Sequence, residues 1–452
     1  MSHTDERAIT RLSRIIQLPT VSATINERES AAAFAALFDE LPQLYPTIWS
    51  TAEIDAVPPC SLTVSLPWED PALEPLLLLA HFDVVDVPHA TRPQWEYPPF
   101  SGHVDDAFVW GRGAIDDKSV FVALLEALER TMDEGRRMRR GVVLAFGGDE
   151  ELSGLRGAGA IAQKFADEGR RFVAVVDEGG VIASGMLRTP SAPVALLGVA
   201  EKGFCNIRVE ATADGGHASM PPRGTALGAV AKAVVRIERS PFPPRLLPAI
   251  RRFFGSLAPH AGLPIRLLFA NVRALWAVVA RVLGGSPSTD ALIRTTQAVT
   301  MATGSQAANV LPQLSSVTVN CRILPGESVQ SVLEHYRRLL KHLPVTVTLA
   351  PDGEHSEPVA ETPIDHPTYR LIERLVSEQF PEAIPAPYLV TGSTDSKWYR
   401  SLSDAIIRFV PITLRPEDLA RVHGMNERIS KQSYLGLIRF YERLIEEECC
   451  HG

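Results

Sequence analysis

Three short apolar segments, each followed at once by acidic residues with glycine or histidine, constrain this chain more than any other feature. Continuous apolar runs of five residues are typical of strands buried on both faces of a sheet. Glycines in the polar stretches suit the tight turns that follow such strands. The segments 76–80, 142–146 and 172–176 lead respectively into His81-Phe82-Asp83, Gly147-Gly148-Asp149-Glu150-Glu151 and Asp177-Glu178-Gly179-Gly180.

Helical patterns separate these strands along the chain. Apolar residues recur at helical spacing in residues 119–130 and 157–166. Strands that alternate with helices predict an α/β fold, with a mostly parallel mixed sheet and helices on both faces. Ligands bind at the carboxyl ends of the strands in open sheets of this kind. We therefore expect the three polar clusters to surround one crevice.

The pattern changes near residue 206, which indicates a second domain. Alternating strands and amphipathic helices follow, with a proline- and arginine-rich helical stretch, before the first pattern returns in the C-terminal part. A chain of 452 residues is long enough for two domains. We predict a discontinuous catalytic domain (1–205 and 352–452) and an inserted α+β lid or dimerisation domain (206–351) with a helical insertion around 240–290.

Composition excludes several kinds of partner. The formal net charge of −8 disfavours nucleic acid, which needs a basic surface. No stretch approaches the roughly 20 apolar residues of a membrane span, and the nearest, residues 265–283, is interrupted by arginines. No membrane partner is therefore expected. The five cysteines are odd in number and lack zinc-finger spacing, which favours reduced thiols and a cytoplasmic location.

The crowding of carboxylates in one crevice calls for cations. Two like charges 4 Å apart repel by about 4 kcal/mol at an effective dielectric constant near 20. A polar turn after a strand would explain any one cluster, but three together favour a site. Imidazole and carboxylate without clustered thiolate fit zinc, with cobalt or manganese as substitutes. A fourth cluster, residues 111–119, lacks the glycine spacing of a phosphate loop before Lys118.

The order of these motifs resembles that of a known family. His81-Phe82-Asp83, the segment Gly111-Arg112-Gly113-Ala114-Ile115-Asp116-Asp117-Lys118 and Asp149-Glu150-Glu151 are similar to motifs of the di-zinc carboxypeptidase and aminoacylase metallopeptidases, above all the carboxypeptidase S-like (Gly-Xaa carboxypeptidase) branch. The resemblance covers nearly the whole chain. It implies two zinc ions per subunit and hydrolysis of an amide bond beside a free carboxylate.

The same resemblance implies a set of metal ligands. His81 and Asp177 would bind the first zinc ion, and Glu151 and His423 the second. Asp116 would bridge the two ions, because a carboxylate can offer one oxygen to each. A histidine in a loop is usually a surface residue, but His423 matches the family's carboxy-terminal ligand.

Two further acids would support the chemistry. Asp83 would orient His81, since carboxylates commonly fix the tautomer of a metal-binding histidine. Glu150 would act as the general base, taking a proton from water and passing it to the leaving amine. The family also implies a cis peptide bond between Asp116 and Asp117.

Residues of the inserted domain would bind the substrate. His217, in Gly-Gly-His-Ala-Ser, resembles a histidine that stabilises the oxyanion, often in the partner subunit of a homodimer. Asn309 and Arg322 resemble groups that hold the substrate's carboxylate, although structural roles stay open for both. Lys397 departs from the family, which usually has arginine at that position, and lysine would offer a substrate only a point charge.

The expected substrate is a small peptide or an N-acyl amino acid, which makes the chain a carboxypeptidase, a dipeptidase or an N-acyl amino acid hydrolase. A biosynthetic amino-acid deacylase or desuccinylase is the alternative within the enzyme class. A non-catalytic binding protein on the same scaffold is a further alternative, which the presence of Glu150 and of the five ligands disfavours.

Overall fold

A computed structural model describes residues 2–24, 28–186, 191–351, 353 and 355–450. The helices are α1 His3–Ile16, α2 Arg28–Leu44, α3 Pro46–Thr51, α4 Lys118–Asp133, α5 Ala158–Asp167, α6 Ala226–Glu238, α7 Pro248–Leu257, α8 Leu263–Ala270, α9 Trp276–Leu283, α10 Pro287–Asp290, α11 Val329–Leu340, α12 Pro367–Gln379, α13 Pro416–Leu419 and α14 Lys431–Ile445. The strands are β1 Glu53–Val57, β2 Ser61–Ser65, β3 Leu76–His81, β4 Phe108–Trp110, β5 Val142–Gly147, β6 Ala174–Asp177, β7 Ile182–Ala183, β8 Val194–Glu201, β9 Gly203–Thr212, β10 Gly216–His217, β11 Thr296–Thr303, β12 Val310–Leu311, β13 Leu314–Ile323, β14 Thr346–Leu349, β15 His355–Ser356, β16 Ile384–Val390, β17 Ile406–Arg408, β18 Thr413–Leu414 and β19 Arg428–Ser430.

The three apolar segments form the middle of a large mixed sheet. Its strand order is β1-β2-β5-β3-β6-β17-β8-β7-β18, with β16 paired to β8. Strand β3 runs parallel to both β5 and β6, and His81 is the register partner of Gly147. The carboxyl ends of these strands therefore meet at one edge of the sheet, which places their polar clusters side by side.

Alternate side chains of β3 enter two separate cores. Leu76 and Leu78 pack with α1, α4 and α14 on one face, whereas Leu77 and Leu79 pack with α5 on the other. Each fully buried leucine contributes about 1.5–3 kcal/mol relative to an exposed one. Helices therefore cover both faces of the sheet, and the predicted α/β class is confirmed.

A smaller antiparallel sheet is formed by the alternating strand pattern that begins near residue 206. Its order is β11-β13-β9-β14, with β15 paired to β9. Every second residue of β9 is buried, and these residues pack against α6 and α11 on a single face. Helix α6 begins where the Thr225 hydroxyl accepts a hydrogen bond from the Gly228 amide. This is the one-sided packing that the alternating sequence predicts.

The helical stretch around 240–290 packs mainly on the large sheet, although Phe242 at its start is buried in the core of the smaller sheet. Apolar residues of α7 and α9 form a core with β8 and β16 of the large sheet. The domain boundaries stay a prediction, and the one at 352 falls on Asp352, which lies outside the described residues. Among the described residues, no helix is long and apolar enough to cross a membrane.

Strand β16 has no counterpart in the predicted elements. Its sequence contains Pro385 and Pro387, which cannot donate to a ladder and argue against a central strand. Within the described part of the chain β16 pairs only with β8. The prolines are therefore tolerated, because an edge strand needs hydrogen-bond donors on one side only.

Candidate metal centre

The candidate site lies where the central strands of the large sheet end. His81 is the last residue of β3, and Glu150 and Glu151 begin a short 3-10 turn after β5. Glu178 follows the last residue of β6. Asp116 lies in the turn before α4, which completes the wall of the crevice.

Five side chains form two groups of three that share one carboxylate. In the first group, His81 Nε2 lies 3.0 Å from Asp116 Oδ1 and 3.8 Å from Glu178 Oε1. In the second, His423 Nε2 lies 3.1 Å from Asp116 Oδ2 and 3.0 Å from Glu151 Oε1. The candidate ligand atoms of each group lie within 4.8 Å of one another. Asp116 thus offers one oxygen to each group, as a bridging ligand would.

The structure does not bring Asp177 into this cluster, which corrects the sequence-based assignment. Asp177 Oδ2 accepts a hydrogen bond of 2.7 Å from the Ser396 amide, and Glu178 occupies the place expected for it. Adjacent residues of an extended segment point in opposite directions, so only one of two neighbouring acids can face the crevice. In the sequence alone, nothing distinguishes which of these two consecutive acids faces the crevice, because that depends on where β6 ends.

The carboxylates make the cluster attract positive charge. Burial opposes the charged form of His81, but hydrogen bonds with Asp116 and Asp83 outweigh it and raise the pKa of the imidazole well above its usual range. Hydrogen bonds with Asp116 and Glu151 raise the pKa of His423 to about 10. Burial raises the pKa of Glu178 as well. A cation bound in either group would reduce the repulsion between the neighbouring carboxylates.

Asp83 ties the histidine to the loop that carries the two glutamates. Its Oδ1 accepts a hydrogen bond of 3.1 Å from the Glu150 amide, and its Oδ2 one of 3.2 Å from the Glu151 amide. The same carboxylate lies 3.3 Å from His81 Nδ1, and the Asp83 carbonyl lies 3.1 Å from that nitrogen. Asp83 is fully buried, so these contacts are shielded from water.

Glu150 lies beside the cluster but belongs to neither group of three. Burial raises the pKa of its carboxyl well above the usual range, and the nearby charges of Asp395 and Asp116 act in the same direction, while His81 opposes them. A carboxyl with a raised pKa is suited to taking up a proton. Its role as general base stays a prediction.

Glu427 supports the site although no sequence signal pointed to it. Its carboxylate lies 2.6 Å from Arg112 Nη1 and accepts hydrogen bonds from the amides of Ile115 (2.8 Å) and Asp116 (3.2 Å). Both members of the Arg112–Glu427 pair are buried. The pair connects the loop of His423 to the turn of Asp116.

The peptide bond between Asp116 and Asp117 is cis, as the family resemblance implied.

Asp395 is a second buried acid that the sequence did not single out. Neither carboxylate oxygen has a hydrogen-bond partner within the described residues, and burial raises the pKa of the group to about 8. The neighbouring Lys397 is also buried, with its ammonium 5.6 Å from the ring centroid of Trp398. No substrate role for Lys397 follows from these contacts.

Of the three predicted substrate residues, Arg322 lies on the smaller sheet, whereas His217 and Asn309 lie at the separate two-stranded sheet of β10 and β12. His217 is exposed on β10, where it pairs in register with Val310, and the Ala218 amide donates to the Asn309 carbonyl at 3.0 Å. Arg322 on β13 is half-buried, with its guanidinium carbon 5.6 Å from the centroid of Phe204. Across the described ranges, no hydrogen bond or ion pair joins these side chains to the metal cluster.

Comparison with known proteins gives a consistent result. The model of peptidase family M20/M25/M40 matches residues 77–447. The human N-fatty-acyl-amino acid synthase/hydrolase PM20D1 is 35% identical over 449 residues, covering 96% of this chain and 86% of that protein. The "Probable carboxypeptidase S-like 2" of Dictyostelium discoideum is 34% identical, covering 91% and 79%. An M20 metallo-carboxypeptidase from Sulfolobus solfataricus has the same fold, with a TM-score of 0.69, 15% identity and 99% of each chain covered.

Proposed function

This chain belongs to peptidase family M20/M25/M40 and is a metal-dependent hydrolase of amide bonds, and we propose that its substrates are N-acyl amino acids with an apolar acyl group. The single observation that carries the chemistry is the pair of three-residue groups that share Asp116 beside Glu150. The acyl preference is supported by the human relative, whose name describes N-fatty-acyl amino acids.

The donor set fits two zinc ions, with cobalt or manganese as substitutes. His81, Asp116 and Glu178 would hold one ion, and Asp116, Glu151 and His423 the other. Two imidazoles and three carboxylates, with no thiolate among them, are ligands that zinc accepts in catalytic sites. Bound zinc would supply Lewis acidity, which polarises a carbonyl and lowers the pKa of water.

The protein groups around these ligands would handle the proton. Glu150 would take one proton from the attacking water as its oxygen forms a bond to the amide carbon. Glu150 would then give that proton to the nitrogen as the carbon–nitrogen bond breaks, which releases an amine and a carboxylic acid. Asp83 would keep His81 oriented throughout, because two backbone amides fix its carboxylate.

The free carboxylate of the substrate would be bound by Arg322 and Asn309, and the oxyanion by His217. Arginine suits this task because its planar fork binds carboxylates in a bidentate manner. Since His217 and Asn309 are exposed at the two-stranded sheet of β10 and β12, we propose a homodimer in which these groups complete the site of the other copy. The five cysteines are unpaired, which supports the proposal of a cytoplasmic location.

A substrate panel tests this proposal. The full chain, loaded with zinc, is assayed against N-acyl amino acids of increasing acyl length and against the same compounds with the carboxylate converted to an amide. We expect cleavage of the free acids, faster with longer acyl chains, and little cleavage of the amidated compounds. Equal rates for acid and amide would exclude the role of Arg322. No cleavage of any compound with zinc, cobalt or manganese would refute the proposal.

Carboxypeptidase action on short peptides is the second candidate. The Dictyostelium relative, whose name describes a carboxypeptidase S-like protein, favours it. A C-terminal peptide bond also lies beside a free carboxylate, so the same residues would serve. Dipeptides of the Gly-Xaa type in the panel distinguish the two, because a peptidase would cleave them at least as fast as the N-acyl amino acids.

A further inference from the structure

The helical segment 241–289 differs in charge from the rest of the chain. It contains six arginines and no aspartate or glutamate, whereas the whole chain has 53 acidic and 45 basic residues. Two of these arginines are paired with glutamates outside the segment: Arg245 with Glu327 at 3.7 Å, and Arg252 with Glu361 at 2.6 Å. The segment is therefore locally basic on a protein of net negative charge.

One side of this segment is fastened to the large sheet. Phe253 and Phe254 of α7, together with Val272 and Val279, are buried in a core that includes β8 and β16. This packing fixes the orientation of α8 and α9, so their opposite sides must face away from the protein.

The outward sides of α8 and α9 are apolar. Leu263 and Leu267 are 70% and 56% exposed, and they are four residues apart on α8. Val278 and Val282 are 55% and 65% exposed and lie four residues apart on one side of α9, and Leu275, directly before the helix, is 39% exposed. With Ile265, this segment supplies six of the seventeen large apolar side chains that the described residues expose, so exposed apolar side chains are concentrated in it.

Three arginines lie among these apolar residues. Arg266, Arg273 and Arg281 are exposed, and none has an ion pair with another described residue. We call the five apolar residues Leu263, Leu267, Leu275, Val278 and Val282, together with these three arginines, the basic apolar face.

We propose that the basic apolar face binds the surface of an anionic lipid membrane. Short helices with apolar side chains and arginines lie in the membrane interface, where the apolar groups enter the acyl boundary and the cations meet lipid headgroups. A second copy of the chain fits less well, because a two-fold contact would set the arginines of one copy against those of the other. The sequence predicts no membrane partner because no segment is long enough to span a bilayer. Binding to the membrane surface needs no such segment, so the proposal replaces that prediction. This inference does not depend on the proposed substrate.

Vesicle flotation tests the proposal with the full, metal-loaded chain. Vesicles of phosphatidylcholine alone are compared with vesicles in which part of this lipid is replaced by phosphatidylserine. We expect the protein to float with the anionic vesicles and much less with the neutral ones. Because each basic residue near an anionic surface strengthens binding about fivefold, Arg266→Gln, Arg273→Gln and Arg281→Gln together should weaken it on the order of a hundredfold.

A second variant addresses the apolar part of the face. Val278→Asp with Val282→Asp should abolish flotation, whereas Leu419→Asp, at a comparably exposed position on α13 (48%), should leave it unchanged. Melting temperature and hydrolysis of a soluble substrate confirm that each variant is folded. The proposal is overturned if wild-type protein does not float, or if it floats equally with neutral vesicles. It is also overturned if Val278→Asp with Val282→Asp changes the oligomeric state in sedimentation, which would identify a contact between copies.

Discussion

The metal cluster and the loop of His217 differ in how firmly the chain holds them. Around the cluster, Asp83 receives two backbone amides, and Glu427 binds Arg112 together with two more amides. His217 is exposed, and the hydrogen bonds of its ring are with Ser219, two residues away. One region is therefore organised before any substrate arrives, whereas among the described residues the His217 ring has no hydrogen bond or ion pair from outside its own turn.

This difference teaches where the site is complete and where it is not. The candidate ligands lie at strand ends and in adjoining turns and loops of one chain, with His423 their only exposed member, so a single chain can assemble them. An exposed side chain such as His217 is held in a fixed position only when the domains close over the substrate or when a second copy of the chain packs against it. Changes at the cluster should therefore affect metal binding or proton transfer, and changes at His217 should affect turnover without affecting stability.

The largest effect is expected from Glu150→Gln. Removing the proton acceptor should lower kcat by about 10²–10⁴-fold, the range that general acid–base catalysis contributes. Metal content should not change, because Glu150 belongs to neither group of ligands. Steady-state kinetics with elemental analysis measures both quantities. Glu134→Gln, at an exposed glutamate paired with Arg136, is the matched control and should behave as the wild type. Retained turnover in Glu150→Gln would disprove the role of general base.

His217→Ala should lower kcat by about 10²–10³-fold, as is typical when one oxyanion donor is removed. The melting temperature and the metal content should remain those of the wild type, because His217 is exposed and does not contact the cluster. A change in metal content would place His217 in the cluster and contradict the comparison.

Mixing two inactive variants sharpens this prediction. If His217 acts in the partner's site, hybrids of Glu150→Gln and His217→Ala subunits each contain one site with both residues intact. Random exchange should then restore up to about a quarter of wild-type activity. No recovery after subunit exchange would show that His217 acts within its own chain, or not at all.

Glu427→Gln should weaken metal binding by about 10–100-fold, the usual cost of losing a group that orients a ligand. The melting temperature should also fall, because the buried guanidinium of Arg112 would lose its charged partner. Competition with a chromogenic chelator measures the affinity. Glu417→Gln, at an exposed glutamate of the nearby helix α13, should change neither quantity. An unchanged affinity in Glu427→Gln would mean that the turn of Asp116 holds its geometry without this contact.

The smallest effect is expected from Arg322→Lys. The charge is kept but the bidentate fork is lost, so KM for a substrate with a free carboxylate should rise by roughly tenfold while kcat changes little. For the amidated substrate, KM should be the same in both proteins. A rise in KM for both substrates would assign Arg322 a structural role instead.

The sequence was most informative where local pattern and fold coincide. The continuous apolar segments predicted the buried strands of the large sheet, and the acids that follow them predicted where the crevice lies. It was least informative where a decision depends on one residue. Asp177 and Glu178 are adjacent acids, and only the position at which β6 ends, at Asp177, determines which of them faces the cluster.

Long-range partners were also beyond the reach of local patterns. Arg112 and Glu427 are 315 residues apart, and no spacing rule connects them. The prolines of β16 argue against a strand in the sequence. The hydrogen bonds that they remove matter less in a strand with a neighbour on one side only, which the sequence does not reveal. The sequence does not show which side of α8 and α9 faces outward, because that depends on which of their residues pack with β8 and β16.

Metal stoichiometry tests the central claim most directly. Protein stripped of metal is titrated with zinc, and bound zinc is counted for the wild type, Glu178→Ala and Asp177→Ala. Two ions should bind per wild-type chain, about one should bind tightly to Glu178→Ala, and two should still bind to Asp177→Ala, because only Glu178 contributes to the cluster. A wild-type chain that binds a single ion, or an Asp177→Ala variant that loses one while Glu178→Ala keeps both, would contradict the account.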